Sequence, residues 1–222
     1  MAIPIARLLS VNVGRPRAFD FHGRSVQSAI WKTPVDGRVA ARGVNLDGDD
    51  QADRGAHGGP DKAVYAYAAE DARWWEEILG RRLPPGTFGE NLTTEGVDVN
   101  GARVGERWAI GTVVLEVSEP RIPCWRLGVR MDDPFFPKRF TEALRPGAYL
   151  RIVAEGALQA GDPIRVEGTE TDLTVRDVFR IYTRDHAEAG RLLSGPPVSE
   201  AWKAWARDTL QRAQDRRTDQ TG

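Results

Sequence analysis

The sequence predicts a mainly β fold with some α, followed by a helical C-terminal appendage. Three observations carry this reading. Up to about residue 167, apolar and polar residues alternate in short segments, the period of half-buried strands. Gly, Pro and Asp separate those segments at close intervals, and many short strands with frequent turns favour a barrel or sandwich over a doubly wound sheet. Near Gly168 the apolar spacing changes to that of helices.

Leu9, Val11 and Val13 alternate with polar neighbours, as do Val26, Ser28 and Ile30. In "GTVVLEVSEP", Val113, Leu115 and Val117 share one face, opposite Val114, Glu116 and Ser118. "LQAGDPIRV" reads as a turn feeding a strand. Two helices interrupt the β part. In "EDARWWEEILG", Trp74, Trp75, Ile78 and Leu79 form a stripe, acids occupy the first turn and Gly80 is the stop. "PFFPKRFTEAL" is a shorter one. In the tail, Thr174 stands three residues before Asp177 as in a capping box, ahead of Val175, Val178, Phe179 and Tyr182 at helical spacing. "HAEAGRLLSG" reads as a second helix, and "VSEAWKAWARDTLQRAQDR" as a third with Ser199 as N-cap and Ala201, Trp202, Trp205 and Leu210 on one side. The expected organisation is a β domain over 1–168 and a three-helix domain over 169–222 that docks on it, with a frayed end.

Composition narrows the function. The 222 residues include 31 basic and 32 acidic ones, a formal net charge of -1, so the basic field that nucleic-acid polymers require is missing. One cysteine permits no intramolecular disulfide. No apolar run approaches the roughly 20 residues that span a bilayer, and "MAIPIARLLSVNVG" is broken by proline too early for a signal peptide. A cytoplasmic, soluble protein without membrane or nucleic-acid partners is expected.

Three segments are too polar and glycine-rich for core. "DQADRGAHGGPDKAVYAY" places His57, Gly58 and Gly59 just before an aromatic strand; such a loop lets backbone N–H groups approach an anion, or simply turns a hairpin. "GTFGENL" joins a tight bend to Glu90 and Asn91. "EPRIPCWRL" holds the sole cysteine between two prolines and two arginines. Packing is the ordinary fate of a cysteine, but Arg121 and Arg126 favour a thiolate if both point at it. They have opposite parity, so a regular strand cannot bring both to Cys124.

"DDQADRGAHGG", "FGENL" and "PRIPCWRL", in this order and spacing, resemble the MOSC domain, specifically its YiiM-like branch, with the motif-bearing part at about 20–165. The helical tail resembles the small three-helix domain that follows MOSC in that branch. Where the branch carries lysine two residues past the cysteine, this chain has Arg126, which keeps the charge. The resemblance implies a MOSC-type β-barrel with a C-terminal three-helix appendage and binding of the molybdenum cofactor, a pterin dithiolene ending in a phosphate. It implies reduction of small N-hydroxylated compounds, such as hydroxylaminopurine-like bases and amidoximes, to the amine. Cys124 would ligate molybdenum. Arg54, His57, Gly58, Gly59, Asn91 and Arg121 would hold the cofactor, and Glu90 or His57 would supply the proton for the departing oxygen. His22 and His186 read as structural or solvent-facing.

Such a reaction consumes two electrons, which a chain with one cysteine cannot take from a dithiol of its own. The sequence carries no flavin, haem or iron–sulfur signature, so an external reductase, a flavoprotein, is the expected donor. Two other readings use the same residues: a carrier of the molybdenum cofactor without catalysis, and a sulfur carrier through a Cys124 persulfide. Pyridoxal phosphate, attached to longer relatives of the domain, finds no Schiff-base lysine context here. A zinc hydrolase finds none of the usual ligand spacings. The sequence says nothing of oligomeric state.

Overall fold

The computed structural model describes residues 6–50, 58–195 and 197–219. Thirteen strands precede the tail. They are β1 (Arg7–Val13), β2 (Arg17–Phe21), β3 (Arg24–Ser28), β4 (Thr33–Pro34), β5 (Val39–Arg42), β6 (Asn45–Leu46) and β7 (Val64–Ala68). Then follow β8 (Leu92–Glu95), β9 (Arg107–Ile110), β10 (Val113–Pro120), β11 (Ala148–Ala154), β12 (Gly156–Leu158) and β13 (Ile164–Glu167). Eight of them form one sheet in the order β13-β9-β10-β11-β7-β8-β1-β4. Every pairing in it is antiparallel except β7 with β8. That parallel pair needs a crossover, and helix α1 (Ala69–Leu79) supplies it.

The closed barrel expected from the sequence is corrected to an open, curled sheet. Its two sides meet at β1 through the isolated bridge of Arg7 to Pro163, with Leu8 N–H donating to the Asp162 carbonyl (2.9 Å), Gly161 N–H to the Leu8 carbonyl (2.7 Å) and Ile164 N–H to the Ala6 carbonyl (2.8 Å). Pro163 has no N–H, so the ladder cannot run on there. The opposite edge, β4, is two residues long and ends in Pro34.

Period 2 decides which core each side chain joins. Val64, Ala66 and Ala68 of β7 pack into the main core with Leu8, Trp108, Leu115 and Leu150, while Tyr65 and Tyr67 point the other way. There they meet three helices: α1, α2 (Trp125–Met131) and α3 (Phe136–Ala143). In α3 the i, i+4 pair Phe136 and Phe140 is fully buried. The α1 stripe is narrower than its sequence reads: Trp75 is buried, whereas Ile78 is 47% exposed. On β10 the face of Val113, Leu115 and Val117 is in the main core as expected, but Glu116 and Ser118 opposite are buried too. Glu116 is covered by Arg107 (3.0 Å) and Arg151 (2.8 Å), so its charge is paired rather than solvated.

The tail begins with α4 (Val175–Thr183), opened by the capping box in which Thr174 Oγ1 accepts from Asp177 N–H (3.1 Å) and Asp177 answers to Thr174 N–H (3.1 Å). The second expected helix is a 3-10 helix, His186–Leu192, and the third is α5 (Glu200–Asp219). Val178, Ile181, Leu192, Trp202 and Ala206 share one core with Val104, and Ile122 packs against it. Ala201 is exposed, outside that face. Among the described residues no helix is long and apolar enough to cross a membrane.

Candidate functional site

A cleft opens beside the cysteine. Its walls come from the segment after β3 (Ser28, Ala29, Ile30, Lys32), from Tyr65 and Tyr149 on adjacent strands, from Gly89 and Asn91, and from Arg121, Cys124 and Arg126. Asp50 and Lys62, which bracket residues 51–57, also line it. Arg54 and His57 lie outside the described residues. Gly59 has φ 97° and opens a short 3-10 turn, Pro60–Lys62, that carries Lys62 to the cleft.

The "GTFGENL" bend packs against the chain between β3 and β4 at backbone distance. A Cβ on Gly86 (φ +84°) would stand 2.4 Å from the Lys32 carbonyl oxygen, and one on Gly89 (φ +75°) 2.9 Å from Ile30 Cγ1. Only glycine permits both the turn and the approach. Phe88 between them is buried and stacked on Tyr67 at 4.2 Å.

Glu90 sits inside the bend instead of lining the cleft. Its carboxylate accepts from Gly86 N–H (2.6 Å), Phe88 N–H (3.0 Å) and the Thr93 hydroxyl (2.9 Å). Burial raises its pKa above the ordinary glutamate value in spite of those donors. A raised folded pKa means that this group stabilises the fold fully below the ordinary value and ceases to as pH climbs through the folded one. Glu90→Gln is therefore expected to cost about 1–3 kcal/mol, because the new amide N–H₂ faces a backbone donor. The advantage of the native protein over this variant should be greatest below about 4.5 and shrink as the pH rises. Urea midpoints measured across the acid range check both statements; a pH-independent difference would contradict the second.

Asn91 faces the cleft yet is held on every side. Its Oδ1 accepts from Tyr65 N–H (3.1 Å) and its Nδ2 donates to the Asn12 carbonyl (3.2 Å) and to Asp49 Oδ2 (2.8 Å). Asp49, with its side chain fully buried, also accepts from Gly14 N–H (2.7 Å) and forms a close ion pair with Lys32. Burial pulls the Lys32 ammonium below the ordinary lysine value, opposed by Asp49, Glu90 and Asp50. A buried ion pair thus lies beneath one wall of the cleft.

The cysteine segment resolves the parity conflict. β10 ends at Pro120, the chain runs irregularly to Cys124, and α2 begins at Trp125 with Cys124 as its N-cap. The change of conformation lets Arg121 and Arg126 reach the same cleft although no strand could. Arg121 is 6% exposed, donates to the Phe88 carbonyl (2.8 Å) and lies over the Tyr65 ring at 5.1 Å. Burial opposes its charge, but Tyr65, Tyr149 and Cys124 outweigh burial and raise its pKa, so it is a permanent cation coupled to the thiol. Cys124 itself is half-buried rather than sealed in apolar packing. Lys62 pairs with the buried Glu119 at 3.5 Å. Burial raises the Glu119 carboxyl, while Lys62, Ser199 and Trp202 draw it down, which ties α5 to this side of the cleft. His22 turns the β2–β3 hairpin, and His186 Nε2 meets the Tyr182 carbonyl at 2.9 Å; neither lines the cleft.

Of the residues singled out in the sequence, the structure brings Asn91, Arg121, Cys124 and Arg126 together. It adds Lys32, Lys62, Tyr65 and Tyr149, which sequence reasoning missed. Lys62 and Tyr65 stood in the quoted glycine segment, where their nearness to His57-Gly58-Gly59 was a usable signal. Lys32 and Tyr149 carried none. Among the described residues no group of three or more His, Cys, Asp or Glu is placed to hold a metal ion. Chemically the cleft offers one thiol, four cationic side chains, of which Lys32 is paired with Asp49, and an aromatic side of Tyr65 and Tyr149. It suits an anionic group that brings most of its own metal ligands and needs one soft donor more.

Residues 53–165 match the MOSC domain family. The uncharacterised protein YflK of Bacillus subtilis is 33% identical over 201 residues, which cover 89% of this chain and 91% of that one. A protein of Gibberella moniliformis named reductase is 34% identical over 165 residues, 71% of this chain but 28% of its own length. The crystal structure of YiiM from Geobacillus stearothermophilus superposes with a TM-score of 0.77 at 30% identity, covering 92% of this chain and 99% of that one.

Proposed function

Since the chain belongs to the MOSC domain family, with YiiM-like relatives, we propose that it is a molybdenum-cofactor-dependent reductase of small N-hydroxylated compounds. The observation that carries this reading is the half-buried Cys124 in a cleft walled by Arg121, Arg126 and Lys62. MOSC domains are associated with the molybdenum cofactor, and the donor set fits that group. When bound, it supplies the two-electron couple at a sulfur-ligated metal. The balance is R–NHOH plus two electrons and two protons giving R–NH₂ and water: the N–O bond breaks, one proton goes to nitrogen and one to the departing oxygen.

The chain's own contributions follow from their places. Cys124 offers the metal a soft thiolate. Arg121, fixed by the Phe88 carbonyl and the Tyr65 ring, and Arg126 would neutralise the anionic tail. Gly58 and Gly59 would offer backbone N–H groups to a phosphate. Tyr65 has its hydroxyl proton committed to the Pro146 carbonyl (2.8 Å), so it packs rather than donates into the cleft. Proton delivery is assigned to His57, as the motif resemblance implies. Glu90 serves by holding the bend that supports Asn91 and Arg121.

Protein purified from a host that makes the cofactor tests the reading. Expected are stoichiometric molybdenum, pterin fluorescence on oxidation, and anaerobic reduction of hydroxylaminopurine with viologen reduced by dithionite. Molybdenum without turnover would replace the reductase by a cofactor-binding module. Cyanide-releasable sulfur without molybdenum would replace it by a sulfur carrier.

A further inference from the structure

Four arginines gather around α2, Arg126 on the wall of the cleft and the other three outside it. Arg126 and Arg130 stand at i, i+4 on α2, Arg17 reaches in from β2, and Arg81 from the turn after α1. Burial holds the Arg130 pKa down, Glu90 draws it up, and Arg17 and Arg81 are close enough to lower it further. Nearby cations find carboxylates: Arg82 pairs with Glu76 (3.3 Å) and Arg139 with Asp133 (3.1 Å). Among the described residues these four have none within ion-pair distance. Arg17 lies over the Trp31 ring (4.0 Å), Arg126 over the Trp125 ring (4.9 Å), and Arg81 donates to the Met131 carbonyl (2.6 Å). Arg130 Nε is buried without a hydrogen-bond partner. In a chain of net charge -1, so local a concentration of positive charge repels itself unless something anionic completes it.

We propose that this arginine patch is the docking surface for an acid-surfaced flavin protein that delivers the electrons. The inference rests on the reductase reading and names its partner. Charge complementarity argues for it, and so does composition: arginine and tryptophan are the residue types that dominate protein interfaces, and Trp125 is 38% exposed beside the patch. Position argues for it as well. α2 begins at the residue after Cys124, so Arg126 and Arg130 lie within about 9 Å of it along the helix axis. A flavin seated on α2 is therefore close enough for direct electron transfer. Reduced flavin surrenders two electrons and two protons in becoming oxidised, which matches the two-electron demand of N–O cleavage.

The test uses the holoprotein and a flavodoxin-type FMN carrier with an acidic surface. Arg17 and Arg81 do not line the cleft, so Arg17→Glu, Arg81→Glu and the double variant change the patch alone. For the native protein, carrier affinity should fall steeply as ionic strength rises. The double variant should bind about tenfold or more weakly and lose most of that salt dependence, while viologen-driven turnover is retained. Arg17→Lys should keep affinity, and melting temperatures identify any variant that fails to fold. Affinity unchanged by charge reversal overturns the proposal, as does an equal loss of carrier-driven and viologen-driven turnover. Arginine-dependent carrier binding without viologen-driven turnover would keep the docking surface and remove the reductase reading.

Discussion

Cys124→Ser is expected to fold normally and lose N-hydroxylamine reduction. A half-buried thiol changed to a hydroxyl costs little, within about 0.5 kcal/mol for a site of this exposure, so the melting temperature should move by only a few degrees. Turnover should fall by more than the roughly 10–100-fold typical of changes to groups that merely support metal ligands, because a hard oxygen replaces the soft donor itself. Arg121→Ala separates ligation from anchoring. It should chiefly lower cofactor retention, and it should also cost stability, since the Phe88 carbonyl and the Tyr65 ring lose a buried partner. If Cys124 were only packing, the pattern would reverse: serine would destabilise while activity per folded molecule stayed intact. Melting temperature, bound molybdenum and turnover on the same preparations distinguish the two. An active, metal-loaded Cys124→Ser protein would end the ligand assignment.

Asp49→Ala should be among the most damaging single changes to stability. It strands Lys32 as a buried ammonium and removes the acceptors of Gly14 N–H and Asn91 Nδ2 at once. Breaking one side of a buried pair costs about 3–5 kcal/mol, a large part of what a domain has. Because Lys32 and Asn91 both line the cleft, cofactor retention should fall as well. The double change Asp49→Ala with Lys32→Met removes both charges and should recover much of the stability but not the retention. Urea denaturation measures the first and metal content the second. A single variant that loses less than about 1 kcal/mol would show that the pair is not the keystone its burial implies.

The contrast between Cys124 and Asp49 marks what was legible in the chain and what was not. Cys124 announced itself as the sole cysteine in a stiff, cationic setting. Asp49 opens the first quoted motif, but nothing local marked it as a buried charge, because its partners Lys32 and Asn91 are 17 and 42 residues away. Glu90 was legible as part of a motif but not in its orientation. Which way a carboxylate turns depends on the backbone donors around it, and those exist only once the glycines of the bend have packed on Lys32 and Ile30.

By itself the sequence determined the family, the strand-rich body, the change to helices near Gly168 and the capping box at Thr174. These rest on local chemistry: alternation at period 2, apolar spacing near 3.6, a hydroxyl three residues before a carboxylate, and short motifs in a given order. Only the tertiary structure decided that the sheet stays open, that Glu116 and Ser118 are buried, that α2 starts at Trp125 and so brings Arg121 and Arg126 to one cleft, and that Tyr149 and Lys32 share it. Each of those depends on contacts between segments far apart in the chain, and such contacts leave no periodic trace along it. A sequence records the preferences of each segment for its own conformation. Which buried charge finds its partner is settled by packing, where an unmatched charge costs more than any local preference can repay.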